Sequence, residues 1–509
     1  MLSYLKPQFK SIILMSLLSL ISINNDAFAQ SIPDDPNIRS NIIPKPSKEP
    51  IVPVGDRETI TDIVVQYVDS EGNLVEGKTK PNIITQEFEL EVGDIYSADL
   101  AEEGLERVLD LVIVDRASLY LKKTANSEGA IMAIAIRENN FDFGFGLTLP
   151  PPTALQGSVR PVTVNALSDN AGGIGGGIQF ELLNLGGNNQ GVSLGVEGGV
   201  QTLGFNLGYR NFLRHDRGFG VNLFNRRGIE SEFDDGDPDI DLDNGSDPWV
   251  HRFGGGIEYF APLDSNWLSA VGISYRRVSV RDGAFSSKIE SRDGLGNRLT
   301  KSEGGQDDLL TLNFTTVLNR QDNLIDPTRG YRFQFGSDQY IPVGEASILA
   351  NRLTANYTHY FPVPLFGFTQ GAKTLVLNLQ GGTILGDAVP YESFILGGSS
   401  SVRGYDASEV STSRSFVQAT AEYRYPIAAL RVLKNQIDLG GTLFVDYGND
   451  LGSADAVIGQ PAVVRDRSGS GLGYGLGLRA VTPIGALRAE FALNDEGDTA
   501  FIFKLGDRF

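Results

Sequence analysis

The chain has 509 residues, 60 of them glycine, with a net charge of −20 and no cysteine. Lack of cysteine excludes disulfides, zinc–thiolate sites and thiol nucleophiles, and an acidic chain lacks the basic face that nucleic acid requires. Mean hydropathy is −0.11, too low for a bundle of membrane helices but suited to a membrane barrel whose lipid face is diluted by a polar lumen.

Residues 1–29 read as a signal peptide. Lys6 and Lys10 make a basic start, 12–23 is a short apolar run, and Ala27-Phe28-Ala29 gives the small-x-small cleavage pattern. About a dozen apolar residues cannot cross a ~30 Å hydrocarbon core, and no later stretch reaches the length of a spanning helix. Export without a helical anchor is the expectation. Residues 30–56 hold Pro33, Pro36, Pro44, Pro46, Pro50 and Pro53, so an extended, solvated linker is expected there.

Residues 57–138 read as one compact β-α-α-β-β module. Residues 60–68 alternate and are β-branched, 83–90 suit a first helix, and Ser97 can cap a second helix that ends near Asp110 by accepting a free first-turn amide. Strands are expected at 112–121 and 130–136. This order resembles a polypeptide-transport-associated (POTRA) domain, and Ile134-Ala135-Ile136-Arg137-Glu138 looks like that domain's last strand. The usual Gly-aromatic before the second strand is replaced by Leu111-Val112-Ile113.

From 141 to 509 the chain repeats one theme, about ten residues of alternating character followed by a turn. Roughly sixteen such segments predict a mainly β fold, a 16-stranded antiparallel transmembrane β-barrel behind the small α+β module. In 435–448 one parity carries Ile437, Leu439, Leu443, Val445 and Tyr447, and the other Asp438, Gly440, Thr442 and Asp446. Successive strand residues face opposite ways, so the first set meets lipid and the second the lumen. In 415–425 the lipid set is Val417, Ala419, Ala421, Tyr423 and Tyr425, opposite Gln418, Thr420, Glu422 and Arg424. Short connections (185–190, 213–217, 261–266, 362–370) alternate with long ones (229–248, 281–307, 386–412, 449–470). The short ones belong on the periplasmic side with the N-terminal module, which makes 386–412 the sixth outer loop.

That sixth loop carries Phe394–Asp406, FILGGSSSVRGYD. Its glycines and serines permit a tight turn ahead of a planar cation. Downstream lies Phe444-Val445-Asp446-Tyr447-Gly448. Together they resemble the lumen loop and the F-x-D-x-G strand of the BamA/TamA-type outer-membrane insertases and the related two-partner secretion transporters. The resemblance implies that Val402, Arg403, Gly404 and Tyr405 form a tip folded back into the barrel. It also implies that Asp446, between Phe444 and Gly448, takes the guanidinium, with Glu422 as a second acceptor. The terminal aromatic Phe509, sharing parity with Phe501, Phe503 and Leu505 and opposite to Lys504 and Arg508, resembles the signal by which such barrels reach their assembly machinery.

Other chemistry is not supported. His215, His251 and His359 lie on separate segments without metal-site spacing and read as surface or lumen residues, and no Gly-x-Ser-x-Gly elbow occurs. Asp239, Asp241 and Asp243 alternate like a calcium loop. Asn244 stands where the turn glycine is needed, so 234–247 reads as a solvated acidic loop. No metal, cofactor or enzyme activity is expected. The expected function is insertion or transport of polypeptides at a cell outer membrane, with the module in the periplasm. Its partners would be membrane lipid, unfolded outer-membrane or secreted clients and accessory periplasmic proteins. A two-partner secretion transporter and a passive diffusion channel are the alternatives.

Overall fold

The computed structural model of the protein describes residues 47, 50–55, 57–123, 129–139, 143–148, 175–234, 239–323, 326–432, 435–482, 485–505 and 508–509. The expected signal peptide and most of the expected linker lie outside the described residues.

A small α+β sheet comes first. Its strands are β1 (Thr59–Val68), β2 (Leu74–Val75), β3 (Val114–Lys123) and β4 (Gly129–Glu138), in the order β2-β1-β4-β3 with β1 and β4 parallel. Helix α2 (Ala98–Leu109) starts at Ser97, whose hydroxyl accepts the Leu100 amide. Its Ala101, Leu105 and Val108 recur at helical spacing and are fully buried with Ile60, Met132, Ile134 and Ile136. Each Leu, Val, Ile or Met side chain so buried contributes about 1.5–3 kcal/mol. Helix α1 is only Pro81–Thr85, shorter and earlier than the expected 83–90. Pro81 starts it, and Phe88 and Leu90 enter the same core without further helical turns. Ser47 and residues 50–53 do not run free in solvent as a linker would. Ser47 exchanges hydrogen bonds with Ala117, Leu119 donates to the Ile51 carbonyl, and Tyr96 donates to that of Pro53. They occupy the outer edge of β3.

Sixteen long strands among the described residues then close an antiparallel barrel. The first half is β5 (Phe143–Thr148), β6 (Gly175–Leu182), β7 (Gln190–Gly199), β8 (Thr202–Arg214), β9 (Arg217–Ile229), β10 (Trp249–Asp264) and β11 (Trp267–Arg281). A two-residue strand β12 (Ile289–Glu290) pairs onto β11 from the following loop. Next come β13 (Gln306–Asn319), β14 (Gly330–Ile341), β15 (Ala350–Pro362) and β16 (Thr374–Gly386). The sixth loop forms its own hairpin from β17 (Phe394–Leu396) and β18 (Ser411–Ser413). The barrel resumes with β19 (Ser415–Val432), β20 (Asn435–Asn449), β21 (Ser470–Thr482), β22 (Gly485–Asn494) and β23 (Thr499–Leu505), which neighbours β5.

The expected alternation holds in β20, where Leu443, Val445 and Tyr447 are exposed while Thr442, Phe444 and Asp446 are buried. One expected lipid-facing residue departs from it. Tyr423 is buried because the turn after β15 folds back over it: the Leu365 and Phe366 amides donate to its hydroxyl, each at 3.1 Å.

The short turns lie against the small sheet. Asn184 Nδ2 donates to Thr79 Oγ1 at 2.8 Å, Lys80 donates its amide to the Gly187 carbonyl, and His215 Nδ1 lies 2.7 Å from the buried Glu87 carboxylate. At the other end the long loops pack into one apolar roof. Phe233, Ile240 and Leu242 enter it from the β9–β10 connection, and Leu299, Ile348, Val389 and Val457 from four others.

Candidate functional site

The sixth loop leaves β16, crosses beneath the roof and drops its tip into the lumen. Two different attachments hold it. The first is at Glu392, which sits among Arg252 of β10 (2.7 Å), Arg276 of β11 (3.1 Å) and the Tyr340 hydroxyl of β14 (2.8 Å). Burial pushes this carboxyl up, but Arg276 and Arg252 outweigh it and hold the group at about 2. Tyr391 beside it donates to Asp307.

The second attachment is the tip. Gly404 takes a φ of 101°, a conformation that side chains disfavour, and the turn sends Arg403 into the barrel wall. Arg403 has no exposed surface. Its Nε and Nη2 meet the two oxygens of Asp446 on β20 at 2.7 and 3.1 Å, the bidentate geometry that a planar fork allows. Its Nη1 reaches Glu422 on β19 at 3.0 Å and Glu490 on β22 at 3.2 Å. The guanidinium carbon stands 3.4 Å above the Phe444 ring, a contact worth about 0.5–2 kcal/mol. A side chain on Gly448 would collide with Val402 Cγ2 at 2.8 Å, so this wall must stay bare for the loop to approach. Val402, Tyr405, Leu396 and Val410 pack together above it, and Tyr405 donates to Asp495.

Residues 184–509 match the family profile described as the Omp85 superfamily domain. The chain belongs to the Omp85 superfamily. Among curated relatives it is similar to "Outer envelope protein 80, chloroplastic" of Arabidopsis thaliana, 27% identical over 454 residues. It is equally similar to "Protein TOC75, chloroplastic" of Pisum sativum, 27% identical over 481. Each alignment takes in 88% of this chain but only 57% and 56% of those proteins, so the chain spans little more than half of their length. Its fold is similar to BamA from Haemophilus ducreyi lacking POTRA domains 1-3, with a TM-score of 0.59, 14% identity and coverage of 88% of this chain and 84% of that one. CdiB from Acinetobacter baumannii follows at a TM-score of 0.52, 16% identity, 88% and 74%. The chain is thus an Omp85-family outer-membrane β-barrel behind one POTRA-like sheet, in a superfamily of transporters and insertases rather than enzymes.

All the residues picked from the sequence as loop motif and partners converge on this one point of the wall. Three further groups there were not anticipated. Glu490 and Arg488 come from β22, where their shared parity opposite Ala489 and Phe491 marks them as lumen residues. Arg508, just past β23, places Nη1 3.0 Å from Asp446 and donates Nη2 to the Ser401 carbonyl of the loop. Phe509 departs from expectation. The last strand ends at Leu505, and the Phe509 ring lies 5.8 Å from the Arg424 guanidinium and 5.6 Å from that of Arg508 instead of joining Phe501 and Phe503 on the lipid side. A ring face attracts cations, and two are at hand here.

The histidines, expected on the surface or in the lumen, take three different places. His215 joins barrel turn to small sheet, whereas His359 faces outward beside Tyr357 and Phe361. Only His251 is a buried barrel residue, its ring bonded to the Gly283 carbonyl. In the acidic loop the carboxylates that gather are those of Asp239, Asp241 and Asp247, within 4.8 Å of one another and exposed. Asp243 is not among them, so the alternating spacing chose the wrong third acid.

Proposed function

We propose that this barrel handles polypeptides, assembling outer-membrane proteins or passing chains across the outer membrane. We take 57–138 as its POTRA unit, 141–509 as the barrel and 386–412 as the lumen loop, with the POTRA unit in the periplasm or the equivalent compartment. The observation that carries the reading is the buried Arg403, held by acids from β19, β20 and β22 while Arg508, just past β23, shares Asp446. This ties the lumen loop to the strands that end at the β23–β5 seam. A diffusion channel gains nothing from an arginine loop across its lumen under an apolar roof.

Clients would add a strand to the sheet of the POTRA unit through main-chain hydrogen bonds. The β3 edge is taken by Ser47 and residues 50–53, and β1 is covered at its two ends by residues 93–96 and by β2, so the open stretch is the middle of β1. The seam would then accept a nascent strand. Accessory periplasmic proteins belong to the same reading. The fold likeness to CdiB keeps secretion as the second reading. A photo-crosslinker in β5 or β23 of this protein during synthesis of another barrel protein tests the proposal. An adduct to the nascent barrel and lower outer-membrane protein levels on depletion are expected. Changed small-solute uptake with an intact outer-membrane proteome would overturn it.

A further inference from the structure

We propose that the lipid-facing wall across β15, β16, β19 and β20 carries a binding groove for one membrane glycerolipid. An acyl chain would lie along the strands, and a headgroup or ester oxygen would sit at His359. The groove encloses about 590 Å³, within the range of small-molecule sites. Strand register builds it in two rungs. His359 lies across from Leu377, Leu377 from Ala421 and Ala421 from Val445; the next rung is Tyr357, Leu379, Ala419 and Tyr447. The alanines lower the floor between an aromatic wall on β15 and the Val445–Tyr447 wall on β20. On the adjoining β21 the outward parity carries Leu472, Tyr474, Leu476 and Leu478, so the floor rises again beyond β20.

One end of the groove is closed. The turn after β15 folds up over Tyr423, with the Phe366 ring 5.0 Å from that of Tyr423 and 4.8 Å from that of Tyr425. Leu365 and Phe368 point outward from it and are 67% and 75% exposed, as suits a segment at the membrane interface. His359 lies three residues before the end of β15, about 10 Å along the strand from the rim. With barrel strands tilted by about 40°, this is roughly 8 Å of depth, at the inner limit of the interfacial region where headgroups and ester linkages lie.

An ionisable side chain on a lipid-facing wall requires a polar partner. The His359 ring stacks on Phe361, with centroids 3.9 Å apart, and its Nδ1 lies 2.7 Å from the Tyr357 hydroxyl. With the phenol donating to Nδ1, the ring proton sits on Nε2 as a hydrogen-bond donor. A glycerolipid supplies the acceptor oxygen and the chain that fills the apolar floor. The wall is immersed in bilayer, so that lipid is the occupant at hand.

The test uses the full chain reconstituted in dioleoylphosphatidylcholine vesicles, re-extracted into mild detergent and weighed by native mass spectrometry. The wild type is expected to keep one phosphatidylcholine adduct. Filling the floor with Ala419→Phe and Ala421→Phe should abolish it, whereas Ala489→Phe, outward on β22, should retain it. His359→Phe should keep the adduct but release it at lower collision energy. Gel mobility before and after heating reports folding, and Ala421→Leu serves should the double variant not fold. A wild type without an adduct, or an adduct that survives filling of the floor, overturns the proposal.

Discussion

Replacing Arg403 with alanine tests the attachment of the lumen loop most directly. The change removes three ion pairs at 2.7–3.2 Å and the stacking on Phe444. Breaking a buried pair by deleting one partner costs about 3–5 kcal/mol, chiefly because the other charge is stranded. Here no acid is stranded. Asp446 keeps Arg508 at 3.0 Å, Glu422 keeps Arg424 at 2.9 Å and Glu490 keeps Arg488 at 3.2 Å. The lower bound, ~3 kcal/mol, therefore applies, and loss of the cation–π contact adds about 1. About 4 kcal/mol corresponds to nearly a thousandfold in the seating equilibrium of the loop. Because the chain has no cysteine, the pair Val402→Cys and Gly448→Cys can report seating. A β-carbon on Gly448 would lie 2.8 Å from Val402 Cγ2, a collision for unbonded side chains but close to the Cβ-to-far-sulfur separation of about 3 Å within a disulfide, so the bond forms only with the loop seated. In glutathione buffers this disulfide should become easier to reduce in the Arg403→Ala background, by up to that factor, while heat-modified gel mobility shows a folded barrel. An unchanged reduction midpoint with unchanged client insertion would refute the account.

Gly473→Ala should unseat the loop with every charge intact, since its β-carbon would lie 1.8 Å from the Arg403 carbonyl oxygen; the same disulfide titration measures this. Arg508→Ala should weaken both ends of its bridge by ~1–3 kcal/mol, as the loss of charged hydrogen bonds, and hydrogen exchange should rise in β23 and in 398–405 together. Glu392 is held at about 2 against an ordinary 4.5. A depressed carboxyl contributes stability above its unfolded value and loses it as pH falls from 4.5 toward 2. Single-channel conductance should therefore rise across that window as the roof loosens, and Glu392→Gln should be leaky already at neutral pH with a flatter profile.

How much of this was legible follows from the range of each signal. Period-2 alternation is local, so the strands, their facing and the lumen position of Asp446 and Glu422 could be read directly. Ser97 announced its helix because capping is settled within one turn. The covering of Tyr423 could not be read, since its parity is correct and only the return of another connection hides it. Arg508 meets Asp446 across 62 residues of sequence, a partner that parity cannot name. Parity set Arg508 opposite Phe501 and Phe503, the face it takes, but set Phe509 with them, whereas its ring lies beside Arg424 and Arg508. Asp247 replaced Asp243 in the acid cluster because the loop does not wind like a calcium loop, which spacing alone presumed.

Asp446 is where the two functional parts of the barrel meet. It accepts from the loop through Arg403 and from the end of β23 through Arg508. Two cations on one carboxylate repel each other yet share its stabilisation, so withdrawing either changes the energy of the other. Coupling of this kind is reciprocal: a client strand that displaces β23 alters the seating of the loop, and a loop that lifts alters the cost of opening the seam. Glu392 fixes the far end of the same loop to β10, β11 and β14. The tip can therefore lift without the loop leaving the roof. In an insertase, that arrangement lets the wall open beside β23 while the lumen stays shut.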